Sequence, residues 1–391
     1  MPWFTPDLPD ATPYEIESRS ELDTHLATGS LRGLTIQGLR LDVDPPDLTT
    51  VDVANSLFVG CRFADLETAA DLVRRGAGVI PTFDSVPFPT APSRLYTPED
   101  LAAGFDVGGF DGMYDTVVYR HFQEHGATAP DAREALAQRI HDAGIDNALG
   151  DAVSAWVARF GTASIVGVMG GHAVPRGSDA YRLAAELGQQ LSRAGRLVVT
   201  GGGPGVMEAA NLGAYFGQHS IADLNAAIAE LATSPDFHDG DPYTAAAIAV
   251  RRRFPPPRDT GLLASLAAGG LAIPTWLYGH EPANLFAGQV AKYFSNAIRE
   301  DMILGLSQGG VVFAPGRAGT VQEVFQAATK VYYGLPGPSR LVFLGRAYWT
   351  GTVPVEPLLR PLLAASPLGD RSGHVHVIDD ASAAVELLLG G

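Results

Sequence analysis

The chain has 391 residues, of which 46% are hydrophobic, and it carries a net charge of −16. This length exceeds one ordinary domain, and no apolar run approaches the roughly 20 residues of a membrane span. A sequence pI near 4.9 argues against a protein that wraps nucleic acid, because such a protein needs a basic surface. We therefore expect small anionic ligands as partners, with neither nucleic acid nor a membrane.

Cysteine usage and the first residues indicate the compartment. Cys61 is the single cysteine, which excludes an internal disulfide framework and is typical of a small buried hydrophobe in a reducing environment. The opening MPWFTPDLPD is acidic and proline-rich, unlike a secretory signal peptide. We expect a cytoplasmic protein.

The N-terminal part of the chain predicts two regions. Residues 1–95 are proline-rich and contain short strand-like pieces, LRGLTIQGLRLDV and NSLFVGCRF, so we expect a small β or irregular module. LRGLTIQGLRL holds two approximate copies of a pentapeptide-type repeat, too few to define one. Residues 96–160 have a helical pattern, with TPED as a helix start, and form a linking region.

Residues 161–391 alternate between apolar strand-like runs and amphipathic helical runs. The expected strands are ASIVGVM, RLVVT, GLAIPT, GVVFA, RLVFLG and HVHVI. The expected helices include SDAYRLAAELGQQLSRAG, PGVMEAANLGAYFG, PANLFAGQVAKYFSNAIRED, AGTVQEVFQAATKVYYG and VEPLLRPLLAAS. This alternation predicts a Rossmann-like α/β fold with a doubly wound parallel sheet, preceded by the N-terminal region of mixed β and helical structure. Residues 218–262 are longer than a simple connection needs, and are a cap, an oligomer surface or a regulatory insert.

Two glycine-rich loops lie between a predicted strand and a predicted helix: TGGGPGVMEAAN at 200–211 and PGRAGTVQE at 315–323. A helix N-terminus offers unpaired N–H groups to an anion, and glycine lets a phosphate approach the backbone. Ligands of doubly wound sheets bind at the carboxyl ends of the strands, where both loops fall. The residues predicted to bind phosphate or nucleotide are Gly170, Gly171 and His172 after the first strand, Gly202, Gly203, Gly205, Met207 and Glu208 in the first loop, and Gly316, Arg317, Gly319 and Thr320 in the second. For His172 the alternative is a turn histidine without a role.

Two further residues are candidates for chemistry. Glu323 lies one helical turn beyond Gly319, so its carboxylate can face a bound ligand; the alternative is a capping glutamate. Arg299 precedes the second loop and supplies a cation whose fork suits carboxylate or phosphate; the alternative is a surface arginine paired with Glu300 or Asp301.

The sequence gives weaker evidence for base stacking, a serine nucleophile, a dinucleotide cofactor or a metal site. The stretch PTWLYGHEPANLF places Trp276 and Tyr278 after a strand, where they stack on a base or pack in the core. GLSQG at 305–309 matches GxSxG but follows a helix and precedes a strand, the reverse of a nucleophile elbow. A Walker lysine, a dinucleotide fingerprint, HExxH and a cysteine metal cluster are all missing, so we expect no metal and no cofactor.

The paired motifs GGGPGVMEAAN and PGRAGTVQE resemble the LONELY GUY family of nucleotide phosphoribohydrolases, whose signatures are close to GGGxxGxM and PGGxGTxxE. GGH at 170–172 and GPGVMEA at 203–209 are more similar to the bacterial branch of pyrimidine/purine nucleotide 5′-monophosphate nucleosidases. The resemblance covers roughly residues 164–334. It implies hydrolysis of nucleoside 5′-monophosphates to free base and ribose 5-phosphate, with Arg299 and Glu323 as the catalytic pair. It also implies a homo-oligomer.

The chain departs from the family pattern at three points. Arg317 replaces the second glycine of PGG, Gln322 replaces an acidic residue before Glu323, and the Arg299-to-Pro315 spacing is one residue longer than expected. Two alternatives therefore stay open beside the nucleosidase: a cytokinin-type nucleotide phosphoribohydrolase, and a non-catalytic nucleotide-binding regulator in which Arg317, the N-terminal half and residues 218–262 form an effector site.

Overall fold

A computed structural model of the chain describes residues 14–256 and 261–390. It divides them into two compact units. The N-terminal unit holds residues 14–95 and Arg120–Ser154, and the α/β unit holds Tyr96–Tyr119 and residues 155–390. The helical region expected at 96–160 is thus shared between the two units.

The N-terminal unit is built on a five-stranded parallel sheet of short strands, ordered β1-β2-β4-β3 with β5 paired to β4. Its elements up to residue 95 are β1 (Glu15–Ile16), α1 (Arg19–Leu26), β2 (Thr35–Gln37), β3 (Arg40–Leu41), β4 (Leu57–Phe63), α2 (Leu66–Arg74) and β5 (Gly78–Pro81). Cys61 is buried in β4, and burial raises the pKa of its thiol to about 11, as expected for a structural cysteine.

This unit contains an internal repeat. Ile16, Ile36, Phe58 and Val79 are successive Cα partners across the sheet and follow one another at a nearly constant spacing along the chain. Positive φ values occur just before three of the strands, at Gly33, Asn55 and Gly76. The repeat is therefore one strand together with the return segment that leads to the next strand. The two approximate copies in LRGLTIQGLRL span only part of such a unit and do not define it.

The α/β unit is built on a seven-stranded parallel sheet ordered β12-β11-β10-β6-β7-β8-β9. Its strands are β6 (Ile165–Met169), β7 (Leu197–Thr200), β8 (Leu271–Ala272), β9 (Gln289–Val290), β10 (Gly310–Phe313), β11 (Leu341–Leu344) and β12 (Val375–Ile378). Every residue of β6, β7, β10 and β11 is buried, as parallel strands covered on both faces require. The prediction of a Rossmann-like doubly wound sheet is confirmed.

Helices connect the strands of this sheet, and two of the first four extend into the N-terminal unit. In chain order they are α3 (Pro98–Ala102), α4 (Phe105–Gly112), α5 (Tyr114–Glu124), α6 (Ala132–Phe160), α7 (Asp179–Arg193), α8 (Val206–Tyr215), α9 (Ile221–Leu231), α10 (Gly240–Arg253), α11 (Leu262–Ala267), α12 (Asn296–Leu306), α13 (Ala318–Tyr333), α14 (Glu356–Ala364) and α15 (Ala381–Leu389). Within the described ranges, none of these helices combines the length and apolar character needed to cross a bilayer.

One predicted helix is wrong. PANLFAGQVAKYFSNAIRED forms the edge strand β9 and an irregular segment, and α12 begins only at Asn296. Strand β9 extends the sheet by pairing with β8. Gly288 permits this because a Cβ there would lie 1.9 Å from the carbonyl oxygen of Ser265. Tertiary pairing overrides the local helical pattern.

The segment 218–262 forms α9 and α10 and the start of α11, with residues 257–260 outside the described ranges. Its basic run makes ion pairs inside the α/β unit: Arg251 with Glu99, Arg252 with Asp106 at 3.3 Å, and Arg253 with Glu230 at 3.4 Å. Arg251 and Arg252 thus join α10 to α3 and α4, and Arg253 joins it to α9.

Candidate functional site

A cavity of about 590 Å³ opens at the carboxyl ends of β6, β7, β8 and β10. The chain leaves central β6 in one direction through β7 to β9 and in the other through β10 to β12, so the cavity lies at the switch point of the sheet. Twelve of the predicted site residues line it: Gly170, Gly171, His172, Gly202, Gly203, Met207, Arg299, Gly316, Arg317, Gly319, Thr320 and Glu323. Gly205 and Glu208 do not.

The first glycine loop follows β7 and turns tightly into α8. Gly205 has φ 68°, and a Cβ there would lie 2.4 Å from the carbonyl oxygen of Gly171, so only glycine fits. Gly205 therefore allows the tight turn of the loop but does not itself line the cavity. It is also the N-cap of α8 and offers no side chain to cap it.

A buried polar network supports this loop. The Gly202 N–H donates to Thr200 Oγ1 at 3.1 Å, and Thr200 Oγ1 donates to Asn211 Oδ1 at 2.6 Å. Asn284, which lines the cavity, donates to the same Asn211 oxygen at 2.9 Å. Paired buried polar groups of this kind rigidify a loop. The asparagine that ends the first motif thus holds the loop in place.

The second glycine loop follows β10 and leads into α13. Arg317 is the N-cap and makes no side-chain capping bond, and the first backbone bond of the helix runs from the Val321 N–H to the Arg317 carbonyl at 3.1 Å. The N–H groups of the first turn have no acceptor within the helix, and Gly319 and Thr320 of this turn line the cavity. Tyr348 anchors the loop by donating to the Gly316 carbonyl at 2.6 Å.

Arg299 and Glu323 come together on the cavity wall, with Arg299 Nη1 3.8 Å from Glu323 Oε1. Their side chains are 9% and 14% exposed. Arg299 Nη2 donates to Asn296 Oδ1 at 2.8 Å, whereas Arg299 Nε is buried with no hydrogen-bond partner among the described residues. The guanidinium is thus only partly paired by protein.

Burial raises the pKa of Glu323 to about 7; Arg299 opposes this rise and Glu300 adds to it. Glu323 is the sixth residue of α13, so it does not cap that helix. Glu300 accepts from Asn296, and Asp301 pairs with Lys330 at 2.7 Å, so neither neutralises Arg299. Glu323 is therefore not a capping glutamate, and Arg299 is not a surface arginine paired with Glu300 or Asp301.

Gln322 stands where the family pattern has an acidic residue, and its contact with Glu300 explains the difference. Its Nε2 donates to Glu300 Oε2 at 2.9 Å. An acidic side chain in that position would face the Glu300 carboxylate and repel it. The amide therefore keeps Glu300 bonded without adding a charge beside Glu323.

Glu208 requires a correction. Its carboxylate is 2% exposed and accepts from Arg176 Nε at 2.9 Å, Tyr181 Oη at 2.9 Å and Tyr243 Oη at 2.7 Å. The helix α8 turns this side chain away from the cavity, toward α7 and α10. We therefore assign Glu208 to the core and remove it from the binding residues.

Several cavity residues lie outside the predicted set, and three of them make polar contacts with other side chains. Glu281 Oε1 is 2.7 Å from His172 Nδ1, Asn284 belongs to the network above, and the buried Lys292 pairs with Asp115. Glu281 and Asn284 both belong to the stretch PTWLYGHEPANLF, which follows strand β8. The sequence did not predict Lys292 as a cavity residue because it lies in the segment that was wrongly predicted to be a helix.

The aromatic residues of that stretch have different places. Trp276 is fully buried and its Nε1 donates to Asp115 Oδ1 at 2.9 Å, so it belongs to the core. Tyr278 is 44% exposed and lines the cavity. Of the two, only Tyr278 is placed to contact a ligand in the cavity.

The GxSxG serine does not form a nucleophile elbow. Ser307 is buried at the end of α12 and donates to the Ile303 carbonyl at 2.7 Å, as expected for a structural serine. Across residues 14–256 and 261–390, no group of three or more His, Cys, Asp or Glu side chains is arranged to hold a metal ion.

Comparison with known proteins adds a family similarity. Residues 163–219 match the model of the SLOG cluster4 family, and this segment holds β6, α7, β7, the first glycine loop and α8. No curated protein matches the chain. Among solved structures, a molybdenum cofactor binding protein from the phototrophic bacterium Rippkaea orientalis is similar at 18% identity, covering 57% of this chain and 94% of that one, with a TM-score of 0.31. The segment around the first glycine loop is thus similar to the SLOG cluster4 family, whose superfamily includes LOG-like nucleotide-processing proteins.

Proposed function

We propose that the protein hydrolyses the N-glycosidic bond of nucleoside 5′-monophosphates to free base and ribose 5-phosphate. The observation that carries this proposal is the incompletely paired Arg299–Glu323 couple on the wall of a cavity between two glycine loops. Such a couple, unlike a saturated ion pair, has capacity for a ligand anion and for a proton. The match to the SLOG cluster4 family supports a nucleotide-related function.

The phosphate binds to the N–H groups at the start of α13 and to the guanidinium of Arg299. These contacts hold the ribose in place, so binding energy from the non-reacting phosphate lowers the barrier at C1′. The requirement for a phosphate follows directly, since a nucleoside lacks the group that these donors recognise.

Glu323 acts at the reacting carbon. As the C1′–N bond lengthens, positive charge builds on the ribose, and a carboxylate beside it stabilises that charge. The same carboxylate accepts a proton from the water that attacks C1′. Because the pKa of Glu323 is raised to about 7, the group can both accept and release a proton near neutral pH.

The experiment is incubation of the pure protein with a panel of nucleoside 5′-monophosphates and the matching nucleosides, with free base and ribose 5-phosphate separated by chromatography. The panel includes a cytokinin-type adenine nucleotide, which tests the narrower substrate class. We expect base release from monophosphates and none from nucleosides. Release from neither set would overturn the proposal.

A non-catalytic nucleotide-binding regulator is the second candidate function. The observation that favours it is Arg317, which is exposed on the cavity wall where the family pattern has glycine. The signature of such a regulator is thermal stabilisation by a nucleotide without any base released over hours. The homo-oligomer implied by the resemblance also belongs to the proposal, and light scattering of the pure protein tests it.

A further inference from the structure

A second acid–base couple lies in the same cavity, formed by His172 and Glu281. His172 follows β6, and its Nδ1 is 2.7 Å from Glu281 Oε1. The Glu281 side chain is 10% exposed, whereas that of His172 is 44% exposed within the cavity lining. Over the described residues His172 Nε2 has no hydrogen-bond partner, so the carboxylate orients the ring and leaves one nitrogen for a ligand.

This couple and the Arg299–Glu323 couple line the same cavity. Glu281 Oε2 lies 2.9 Å from the point where a Cβ of Gly203 would be, and Arg299 Nη1 lies 3.3 Å from the corresponding point of Gly201. Burial raises the pKa of both Glu281 and Glu323, and the charge of Arg299 opposes that rise in both, so the guanidinium lies near both carboxyl groups. A substrate against the first glycine loop is thus flanked by two separate proton-transfer groups.

The surroundings of His172 make its imidazolium more acidic and, for the same reason, leave a smaller fraction of the ring protonated near neutral pH. Burial, Arg317 and His238 lower its pKa, and burial raises the pKa of Glu281 although the charges of His280, Lys292, Arg299 and His238 oppose that rise. The ring of Phe237 packs beside His172 with the centroids 5.8 Å apart. An imidazolium in such surroundings gives up its proton more readily than one in water.

We propose that His172, oriented by Glu281, is the general acid that protonates the leaving base from its free Nε2. This inference rests on the proposed function. As C1′–N breaks, its electron pair goes to the base nitrogen while the base takes the Nε2 proton. Water adds to C1′ and passes a proton to Glu323. Return of that proton to His172 through solvent closes the cycle, so the sum is one water and one nucleotide to one base and one ribose 5-phosphate.

The test compares leaving groups. Guanosine 5′-monophosphate needs a proton on its base, whereas 7-methylguanosine 5′-monophosphate carries a cationic base that leaves as a neutral molecule. We expect His172→Asn to lower kcat for the first substrate by roughly 10²- to 10⁴-fold and for the second by less than about tenfold. Asparagine can still donate to Glu281, so the loop is preserved. Glu323→Gln should slow both substrates.

The second readout is the pH profile of kcat on the best monophosphate of the panel. The wild-type rate should fall on the alkaline side as His172 loses its proton, and this limb should be missing in His172→Asn. The control is His376→Asn on β12, since burial and nearby arginines also lower the pKa of that histidine, which lies outside the cavity lining.

The outcomes distinguish a failure of the acid role of His172 from a failure of the proposed nucleosidase function. Equal losses on both guanine nucleotides with an unchanged alkaline limb, or a rise in KM alone, would overturn the acid role and leave His172 as a binding residue. Base release by the wild type would stand in that case, so the proposed function would survive. A wild-type protein that releases no base from any monophosphate refutes the proposed function and this inference with it.

Discussion

Two buried arginine–glutamate couples in the α/β unit differ in how completely they are bonded. Arg176 and Glu208 are 1% and 2% exposed and are joined through two guanidinium nitrogens, with Tyr181 and Tyr243 completing the carboxylate shell. Arg299 and Glu323 approach only to 3.8 Å, and Arg299 Nε is unpaired within the described chain. The first couple is saturated, whereas the second has bonding capacity left.

This difference distinguishes structure from function where sequence alone cannot. Both glutamates occur in glycine-rich motifs on the first turns of a helix, and the motifs predict both to belong to the site. The saturated couple is buried, is bonded to protein groups and ties α8 to α7 and α10. The unsaturated couple faces a cavity, where a substrate can complete its bonding.

The largest expected effect on stability is at the saturated couple. Glu208→Ala leaves Arg176 buried without its counter-charge, and breaking such a pair costs about 3–5 kcal/mol of unfolding free energy. Urea denaturation measures this loss. The double variant Arg176→Met/Glu208→Leu removes both charges and should recover part of it. A loss below about 1 kcal/mol in Glu208→Ala would contradict the structural role.

A smaller effect is the pH dependence of stability at Glu323. Its pKa is about 7 in the folded protein and near 4.5 as an ordinary carboxyl, so the folded state binds more protons between these values. Stability from this group is present at low pH and is lost as pH rises, by at most about 1.4 kcal/mol per unit. Glu323→Gln should therefore gain stability relative to wild type from pH 5 to 7 in urea titrations. A difference that stays constant across this range would show that Glu323 titrates normally.

The smallest effect is expected at Arg317, which is exposed at the cavity mouth. Arg317→Gly should raise KM for a monophosphate by no more than about fivefold, since an exposed charge contributes roughly 0.2–1 kcal/mol. The effect should shrink when salt is increased, and kcat should not change. Steady-state kinetics at two ionic strengths test this; complete loss of binding would instead make Arg317 an essential contact.

The fold of the α/β unit was largely predictable because its strands are short apolar runs separated by long amphipathic helices. The edge strand β9 was not, since its two residues carry no pattern of their own and form a strand only by pairing with β8 and, at Val290, with Tyr96. The repeat in the N-terminal unit was missed because its period is long and rests on backbone angles at Gly33 and Asn55 more than on side-chain identity.

For the site, motif spacing predicted the glycine loops and Glu323 because they directly follow two strand ends, whereas the catalytic role of Arg299, on α12, was assigned from the family resemblance. Lys292 and Glu281 reach the cavity only through the irregular segment between β8 and α12, which has no periodicity to place them. Glu208 was wrongly predicted as a binding residue for a different reason. It does belong to the glycine-rich motif, but Arg176 and Tyr243, which bind its side chain in the core, are distant in sequence.

The most direct test of the central claim is base release by Glu323→Gln under single-turnover conditions with the best monophosphate of the panel. Glu386→Gln, an exposed position on α15, is the matched control. We predict a fall of about 10²- to 10⁴-fold in Glu323→Gln, with nucleotide affinity retained and the control at the wild-type rate. A Glu323→Gln protein that releases base as fast as wild type would show that Glu323 is not the catalytic carboxylate.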